Sequence, residues 1–129
     1  MKSLRLYIAV FVVLFSTTTV AKEPTIRVVD AWIREPPPMV TVLAGYMTIE
    51  NLSRNPVVLV GARSPVFERL EMHRTTVVDG MTRMRPEERV NVAAGGAVTF
   101  APGGRHLMLM GPHRKLRAGD SVPVELEFE

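Results

Sequence analysis

Histidine and methionine alternate with leucine near the C-terminus, in a pattern typical of a short β-strand. From His106 to Met110 the sequence reads His-Leu-Met-Leu-Met. Successive side chains of a strand point to opposite faces, so His106, Met108 and Met110 share one face and the two leucines share the other. An imidazole beside thioethers is a soft, neutral ligand set that favours Cu(I) over magnesium or calcium. For this segment alone, core-packing methionines and a surface histidine remain an alternative explanation.

A second histidine lies in an earlier segment that also alternates. The sequence Leu-Glu-Met-His ends at His73, which places its leucine and methionine toward the core and puts Glu71 and His73 on the other face. Asp79-Gly80 is a typical hairpin turn. The returning strand is therefore expected to bring Met81 and Met84 beside the strand of His73, so that a histidine and a methionine are offered from neighbouring strands.

The elements that must position these side chains are predicted to be short strands. Segments rich in Val, Thr, Ile and Leu alternate with turns rich in Gly, Pro, Asn and Asp, and no helical period is long enough to compete. This organisation predicts an all-β fold, a Greek-key sandwich or barrel that is cupredoxin-like or immunoglobulin-like. The predicted strands are Ile26–Ile33, Leu43–Glu50, Pro56–Ala62, Phe67–Val78, Met81–Met84, Val98–Phe100, His106–Met110 and Val122–Phe128.

The first 21 residues have the features of a secretory signal. Lys2 and Arg5 precede the apolar run Leu6–Phe15, and Thr19-Val20-Ala21 supplies small residues for cleavage. We therefore expect a signal peptide over residues 1–21 and a single domain over residues 22–129, exported and with no stable membrane insertion after cleavage. The apolar run is short for a membrane span.

Charge and cysteine content exclude several classes of function. Of 16 Lys and Arg against 13 Asp and Glu, two basic residues lie in the signal, and the remaining 14 are scattered among acids. This distribution is typical of a solvated surface and does not indicate nucleic-acid binding. The sequence contains no cysteine, which excludes disulfide exchange, zinc-finger ligation and a blue-copper centre.

Catalysis is not indicated either, and we expect that the protein is not an enzyme. Nucleophilic and paired-carboxylate schemes need a base and its partner brought together. Isolated residues such as Ser64, Ser121 and Glu87-Glu88 provide no such arrangement.

The spacing of the histidines and methionines resembles a family motif. His73, Met84, His106 and Met108 form the pattern His-x10-Met-x21-His-x-Met, with a methionine directly before the first histidine. This pattern is similar to that of the PCuAC family of periplasmic copper(I) chaperones, and the similarity covers essentially the whole chain after the signal. Other segments similar to the family are Trp32-Ile33-Arg34 with its Pro-rich loop, Gly45–Asn51, Met84-Arg85-Pro86, Gly103–Met110 and Val124–Phe128.

The resemblance implies a ligand set, a cargo and a partner. The ligands would be His73, Met84, His106 and Met108, and the cargo one Cu(I). The function implied is a periplasmic metallochaperone, expected to act as a monomer, that delivers Cu(I) to the copper-bearing subunit of cytochrome c oxidase. A Sco-like thioredoxin-fold protein could assist the delivery. The alternatives are a copper-buffering or resistance protein without a dedicated acceptor, and an adhesion module whose histidines and methionines are incidental.

Four further residues of ligand type are placed outside the ligand set. Met39, in the Pro-rich loop, and Met110 could assist transfer from the edge of the site. Met47 lies between Tyr46 and Thr48 and is predicted to be core. His113 follows a proline in a basic turn and is predicted to be a solvated loop histidine.

Overall fold

The structure, a computed structural model, describes residues 25–129. The predicted signal peptide over residues 1–21 lies outside the described residues. Within residues 25–129 the chain forms nine β-strands, and no helix there is long and apolar enough to cross a bilayer. The strands are β1 Ile26–Ile33, β2 Val42–Asn51, β3 Val57–Arg63, β4 Phe67–Val78, β5 Met81–Pro86, β6 Val90–Val92, β7 Ala97–Phe100, β8 Arg105–Pro112 and β9 Glu125–Phe128.

The strands form two antiparallel sheets that pack as a sandwich. The larger sheet has the order β1-β2-β8-β4-β5, and β7 also pairs with β2, whereas the smaller sheet has the order β6-β3-β9. The all-β prediction is confirmed. Strand β8 lies in the middle of the larger sheet because β2 and β4 both pair with it, although neither is its neighbour in the sequence.

The core lies between the two sheets and fixes which face of each strand points inward. Leu107 and Leu109 of β8 are buried in it with Met72 of β4, as the alternation of these segments predicts. Met47 of β2 is also a buried core residue, which confirms its prediction. Because the leucines of β8 face the core, the alternate residues of the same strand must point to the outer face of the larger sheet.

Most strand predictions agree with the structure to within two residues at each end, with two larger differences. Val90–Val92 forms a strand that the sequence analysis missed, because three residues carry too little alternation to stand out. The last strand begins at Glu125 and not at Val122. Pro123 lies between the predicted and the observed start of this strand, and proline has no N–H to donate to a sheet ladder.

The hairpin between β4 and β5 is the one predicted from Asp79-Gly80. Both residues have positive φ, 51° for Asp79 and 73° for Gly80, as a two-residue turn of the mirror-image type requires. Val78 pairs directly with Met81 across this turn. The turn therefore sets the register of the whole hairpin, and with it the position of Met84 opposite Thr75.

A buried asparagine joins the larger sheet to the smaller one. Asn51, at the end of β2, is 1% exposed. Its amide nitrogen lies 2.8 Å from the carbonyl oxygen of Asn55 and 3.2 Å from those of Val92 and Ala93, and its side-chain oxygen accepts from the N–H and hydroxyl of Ser53. Buried polar groups left without such partners carry a large desolvation cost.

We expect Asn51→Ala to lower the free energy of unfolding by about 3 kcal/mol, because it leaves buried carbonyls unpaired. Urea denaturation followed by circular dichroism measures the change. Asn55→Ala is the matched control, since Asn55 is exposed and contributes only backbone atoms to this network. A similar loss of stability in both variants would contradict the role assigned to the Asn51 side chain.

Candidate metal site

Both histidines of the predicted site lie on the outer face of the larger sheet, directly opposite each other. His73 of β4 pairs with His106 of β8, and directly paired residues of antiparallel strands point to the same face. The two ring centroids are 5.9 Å apart, and the ring planes are tilted by 40°. The structure thus brings together two imidazoles that are 33 positions apart in the sequence.

The two methionines lie on the same face, on either side of the histidine pair. Met108 of β8 pairs with Glu71, which lies two residues before His73 and on the same face. Met84 of β5 pairs with Thr75, which lies two residues after His73 and on the same face. Both methionines are therefore diagonal neighbours of His73, a separation that long side chains can bridge.

The four side chains differ in how tightly the fold holds them. His106 is only 6% exposed, and the side chain of His73 is 12% exposed. Met108 is half-buried, whereas Met84 is 53% exposed on a strand that, among residues 25–129, pairs with β4 alone. Three of the four predicted ligands thus have a largely fixed surrounding, and Met84 lies on the open side of the site.

Each imidazole has one nitrogen engaged and the other free. His73 Nε2 lies 2.8 Å from Glu71 Oε2, and His106 Nδ1 lies 3.2 Å from the carbonyl oxygen of Gly104. A carboxylate and a carbonyl can only accept, so in the neutral imidazoles these nitrogens carry the proton and donate. His73 Nδ1 and His106 Nε2 then carry the lone pairs. Both are buried and have no hydrogen-bond partner among the described residues.

Two unpartnered buried nitrogens on adjacent strands are unusual, since such groups are normally hydrogen-bonded. The arrangement matches that of metal-binding histidines, which typically donate their second ring nitrogen to a carboxylate or a backbone carbonyl. The residues present therefore fit a metal ion. Within residues 25–129 no group of three or more His, Asp or Glu could hold a metal ion, so a closed site must recruit the methionines.

Glu71 supplies the negative charge nearest to the histidines. The hydrogen bond from His73 is the main reason that the pKa of the Glu71 carboxyl lies below its ordinary value; desolvation opposes this shift, and nearby Arg69 reinforces it. The carboxyl is therefore ionised at neutral pH. The alternation of this segment predicts that Glu71 shares the face of His73, but a role for its carboxylate follows only from the hydrogen bond.

Met110 shares the face of Met108, but its sulfur is already engaged. Arg69 Nη2 donates to Met110 Sδ at 3.4 Å, across the register that pairs the two residues. Met39 is 99% exposed in the loop before β2. The third histidine, His113, is exposed and lies 3.1 Å through Nδ1 from the carbonyl oxygen of Pro65. The prediction of His113 as a solvated loop residue is confirmed.

An aromatic cluster, which the sequence analysis did not recognise as one, borders the site across β2. The rings of Trp32 and Tyr46 lie 4.7 Å apart between centroids with their planes tilted by 41°, and the Arg34 guanidinium lies within 6 Å of both rings, at 5.9 Å and 5.7 Å. The β2–β8 register pairs Gly45 with Leu107, so the next step places Tyr46 beside His106. Trp32 is brought to this face by a bulge in β1, where Asp30 has a φ of 52°.

A cavity of about 350 Å³ opens beside the segment 116–124, and Trp32, Arg34 and Tyr46 of the aromatic cluster also line it. Its walls include Leu43, Leu107 and Leu109 of the core, and Met47 provides its single thioether. No histidine lines it. The cavity therefore offers no metal-ligand set comparable with that of the outer face.

Residues 26–129 match the family described as "Putative lipoprotein LpqE-like". Protein Lxx21020 of Leifsonia xyli subsp. xyli is 31% identical over 104 residues, which are 80% of this chain and 61% of that protein. The chain thus spans less than two thirds of the length of this relative.

Solved structures of PCuAC domains have the same fold. The copper-bound PCuAC domain from PmoF2 superimposes with a TM-score of 0.67 at 25% identity, covering 82% of this chain and 83% of that domain. The Cu(I)-bound solution structure of DR1885 from Deinococcus radiodurans gives a TM-score of 0.59 at 34% identity, covering 76% and 66%. The resemblance inferred from the His-x10-Met-x21-His-x-Met pattern is thereby confirmed. The chain belongs to the LpqE-like family, and its structural neighbours are PCuAC domains.

Proposed function

We propose that this protein is a copper chaperone that binds one Cu(I) through His73, Met84, His106 and Met108. The observation that carries the proposal is the pair of buried imidazole nitrogens without partners, His73 Nδ1 and His106 Nε2, on adjacent strands. The copper-bound state of two similar structures, the PmoF2 domain and DR1885, supports the choice of metal.

The ligand chemistry also favours monovalent copper. Two imidazoles and two thioethers are neutral and soft, and such a set suits Cu(I) better than hard cations. A Cu(I) ion held by neutral ligands keeps its single positive charge. The ionised Glu71, hydrogen-bonded to His73, lies where it compensates this charge and fixes the orientation of the ring.

Met84 completes the site from the hairpin. Because β5 is an edge strand of the sheet that the described residues form and Met84 is exposed, this thioether can approach or leave without disturbing the core. In our proposal Met84 closes over the ion after His73, His106 and Met108 have bound it. It is then the first ligand replaced when an acceptor approaches from the open side.

We propose that delivery occurs in the periplasm and that the acceptor is the copper-bearing subunit of cytochrome c oxidase, with a Sco-like protein as a possible intermediary. Thiolates bind Cu(I) more strongly than thioethers do. Exchange from a His/Met site to a cysteine site therefore runs downhill as a ligand substitution, in which copper stays monovalent throughout. The protein acts in this scheme as a carrier and not as an enzyme.

The test is to mix the Cu(I)-loaded protein with the apo copper domain of the oxidase, its cysteines reduced, and to follow both proteins by NMR without oxygen. We expect copper to leave His73 and His106 and to appear on the acceptor's cysteines. Retention of copper on this protein with the acceptor in excess would contradict delivery and would favour a buffering function. Absence of Cu(I) binding at the start would contradict both functions.

A further inference from the structure

The hairpin of β4 and β5 extends beyond the core of the sandwich. From Arg74 to Arg85 every side chain is exposed except that of Thr75, which is half-buried. Val78 at the tip is 43% exposed and Met81 is 58% exposed. Apolar side chains at the tip of a projecting hairpin gain nothing from the core, so their exposure calls for a different explanation.

The register of the hairpin places six of these residues on one face, opposite to the face of His73. Val78 pairs with Met81, Thr76 with Arg83, and Arg74 with Arg85. Directly paired residues share a face, and so do residues two apart along a strand. We call this surface the hairpin basic face; it consists of Arg74, Thr76, Val78, Met81, Arg83 and Arg85.

The arginines of the hairpin basic face repel one another. Arg74 lies directly opposite Arg85 on one side and directly opposite Arg105 on the other, and like charges in such positions are destabilising. Arg105 is neutralised by a two-point ion pair with Glu87, at 2.8 Å and 3.0 Å. Within residues 25–129, Arg74, Arg83 and Arg85 form no ion pair.

Along this face an apolar pair therefore lies at the tip of the hairpin, and three guanidiniums without ion-pair partners follow it toward the body of the sheet. This order matches a lipid surface, where anionic phosphates lie outside the apolar chains. A free phosphate or an acidic protein surface would account for the arginines but not for Val78 and Met81 at the tip. The carboxylate of Asp79 in the turn limits the depth of contact, so the geometry fits shallow docking and not a membrane span.

We propose that the hairpin basic face docks on a bilayer that contains anionic phospholipid. Val78 and Met81 enter the interface between headgroups and chains, while Arg74, Arg83 and Arg85 bind lipid phosphates. His73 and Met84 point to the opposite face of the same hairpin, so docking leaves them uncovered. This inference does not depend on copper binding and is tested without metal.

Because the sequence contains no cysteine, Thr76→Cys allows an environment-sensitive fluorophore to be attached on the hairpin basic face alone. The labelled chain is titrated with vesicles of phosphatidylglycerol and phosphatidylcholine in equal parts, or of phosphatidylcholine only. We expect a blue shift of the emission with the anionic vesicles at low salt, weakened as salt is added. The same label at Ser121→Cys, an exposed position on the loop before β9, should not shift.

The charge requirement is tested in the Thr76→Cys background. Arg83→Gln with Arg85→Gln should raise the lipid concentration needed for half the shift roughly thirtyfold, since each basic residue near an anionic surface contributes about 1 kcal/mol. Lys115→Gln with Arg117→Gln removes the same charge from exposed positions beyond the far end of β8 and should change nothing. No shift with anionic vesicles, an equal shift with neutral vesicles, or equal effects of the two double variants would each overturn the proposal.

Discussion

Replacing His106 with leucine is expected to lower Cu(I) affinity at least about 100-fold, because it removes the most deeply buried ligand of the proposed site. The Nε2 of His106 is buried and has no hydrogen-bond partner among the residues described. Among the residues described, the third histidine, His113, lies beyond the end of β8 and close to the Pro65 carbonyl, so it is not placed to replace His106. Competition against a colorimetric Cu(I) chelator under anaerobic conditions measures the loss.

The fold should survive this change. His106 is 6% exposed and its Nε2 has no hydrogen-bond partner among the described residues, so a leucine there breaks no hydrogen bond at Nε2. The Gly104 carbonyl, which loses the imidazole as donor, still accepts from the Thr75 N–H at 3.1 Å. The apo variant should therefore unfold at a temperature close to that of the parent, which separates a lost ligand from a lost fold.

His113→Leu is the matched control for His106→Leu. It makes the same chemical change at the third histidine of the chain, which is exposed and hydrogen-bonded to Pro65. Its Cu(I) affinity should equal that of the parent. An unchanged stoichiometry and affinity in His106→Leu, or an equal loss in His113→Leu, would show that the ligand assignment is wrong.

Local sequence pattern was sufficient for the parts of the site that depend on a single hairpin. Alternation assigned His73 and His106 to faces opposite the core leucines and Met72, and Asp79-Gly80 fixed the turn that places Met84 opposite Thr75. These features follow from the two-residue period of a strand and from the φ values of a tight turn. They need no information from distant parts of the chain.

The pairing of β4 with β8 could not be predicted in this way. No short turn connects these strands, and a slip of one residue would move every side chain to the other face. Only the resemblance to the PCuAC motif placed His73 near His106. The hydrogen bonds that orient the rings, from His73 to Glu71 and from His106 to the Gly104 carbonyl, depend on rotamers and backbone positions that a pattern of residue types does not contain.

The thioether ligands provide the second large effect. Met84→Leu and Met108→Leu should each lower Cu(I) affinity at least about tenfold, and the double variant at least about 100-fold, provided that the two sulfurs act independently. Leucine keeps the size and apolarity of methionine, and such substitutions usually cost less than about 1.5 kcal/mol of stability. A loss of affinity can therefore be assigned to the missing sulfur.

The two single variants should differ in kinetics. Met108 is half-buried in the centre of the sheet, whereas Met84 is exposed on β5, which lies at the edge of the sheet in the described part of the chain. A ligand that closes the site last mainly slows departure of the ion, so Met84→Leu should act chiefly by raising the rate of copper release. Stopped-flow transfer to a chelator in excess measures this rate.

Met110→Leu provides the matched control, because Met110 lies on the same strand and the same face, two residues after Met108. Its sulfur accepts from Arg69, and we place it outside the ligand set. Its replacement should leave both affinity and release rate unchanged. If Met110→Leu lost affinity while Met108→Leu kept it, the site would be centred one step further along β8, away from His106. If neither Met84→Leu nor Met108→Leu changed affinity, the thioethers would not be ligands and the two imidazoles alone would hold the ion.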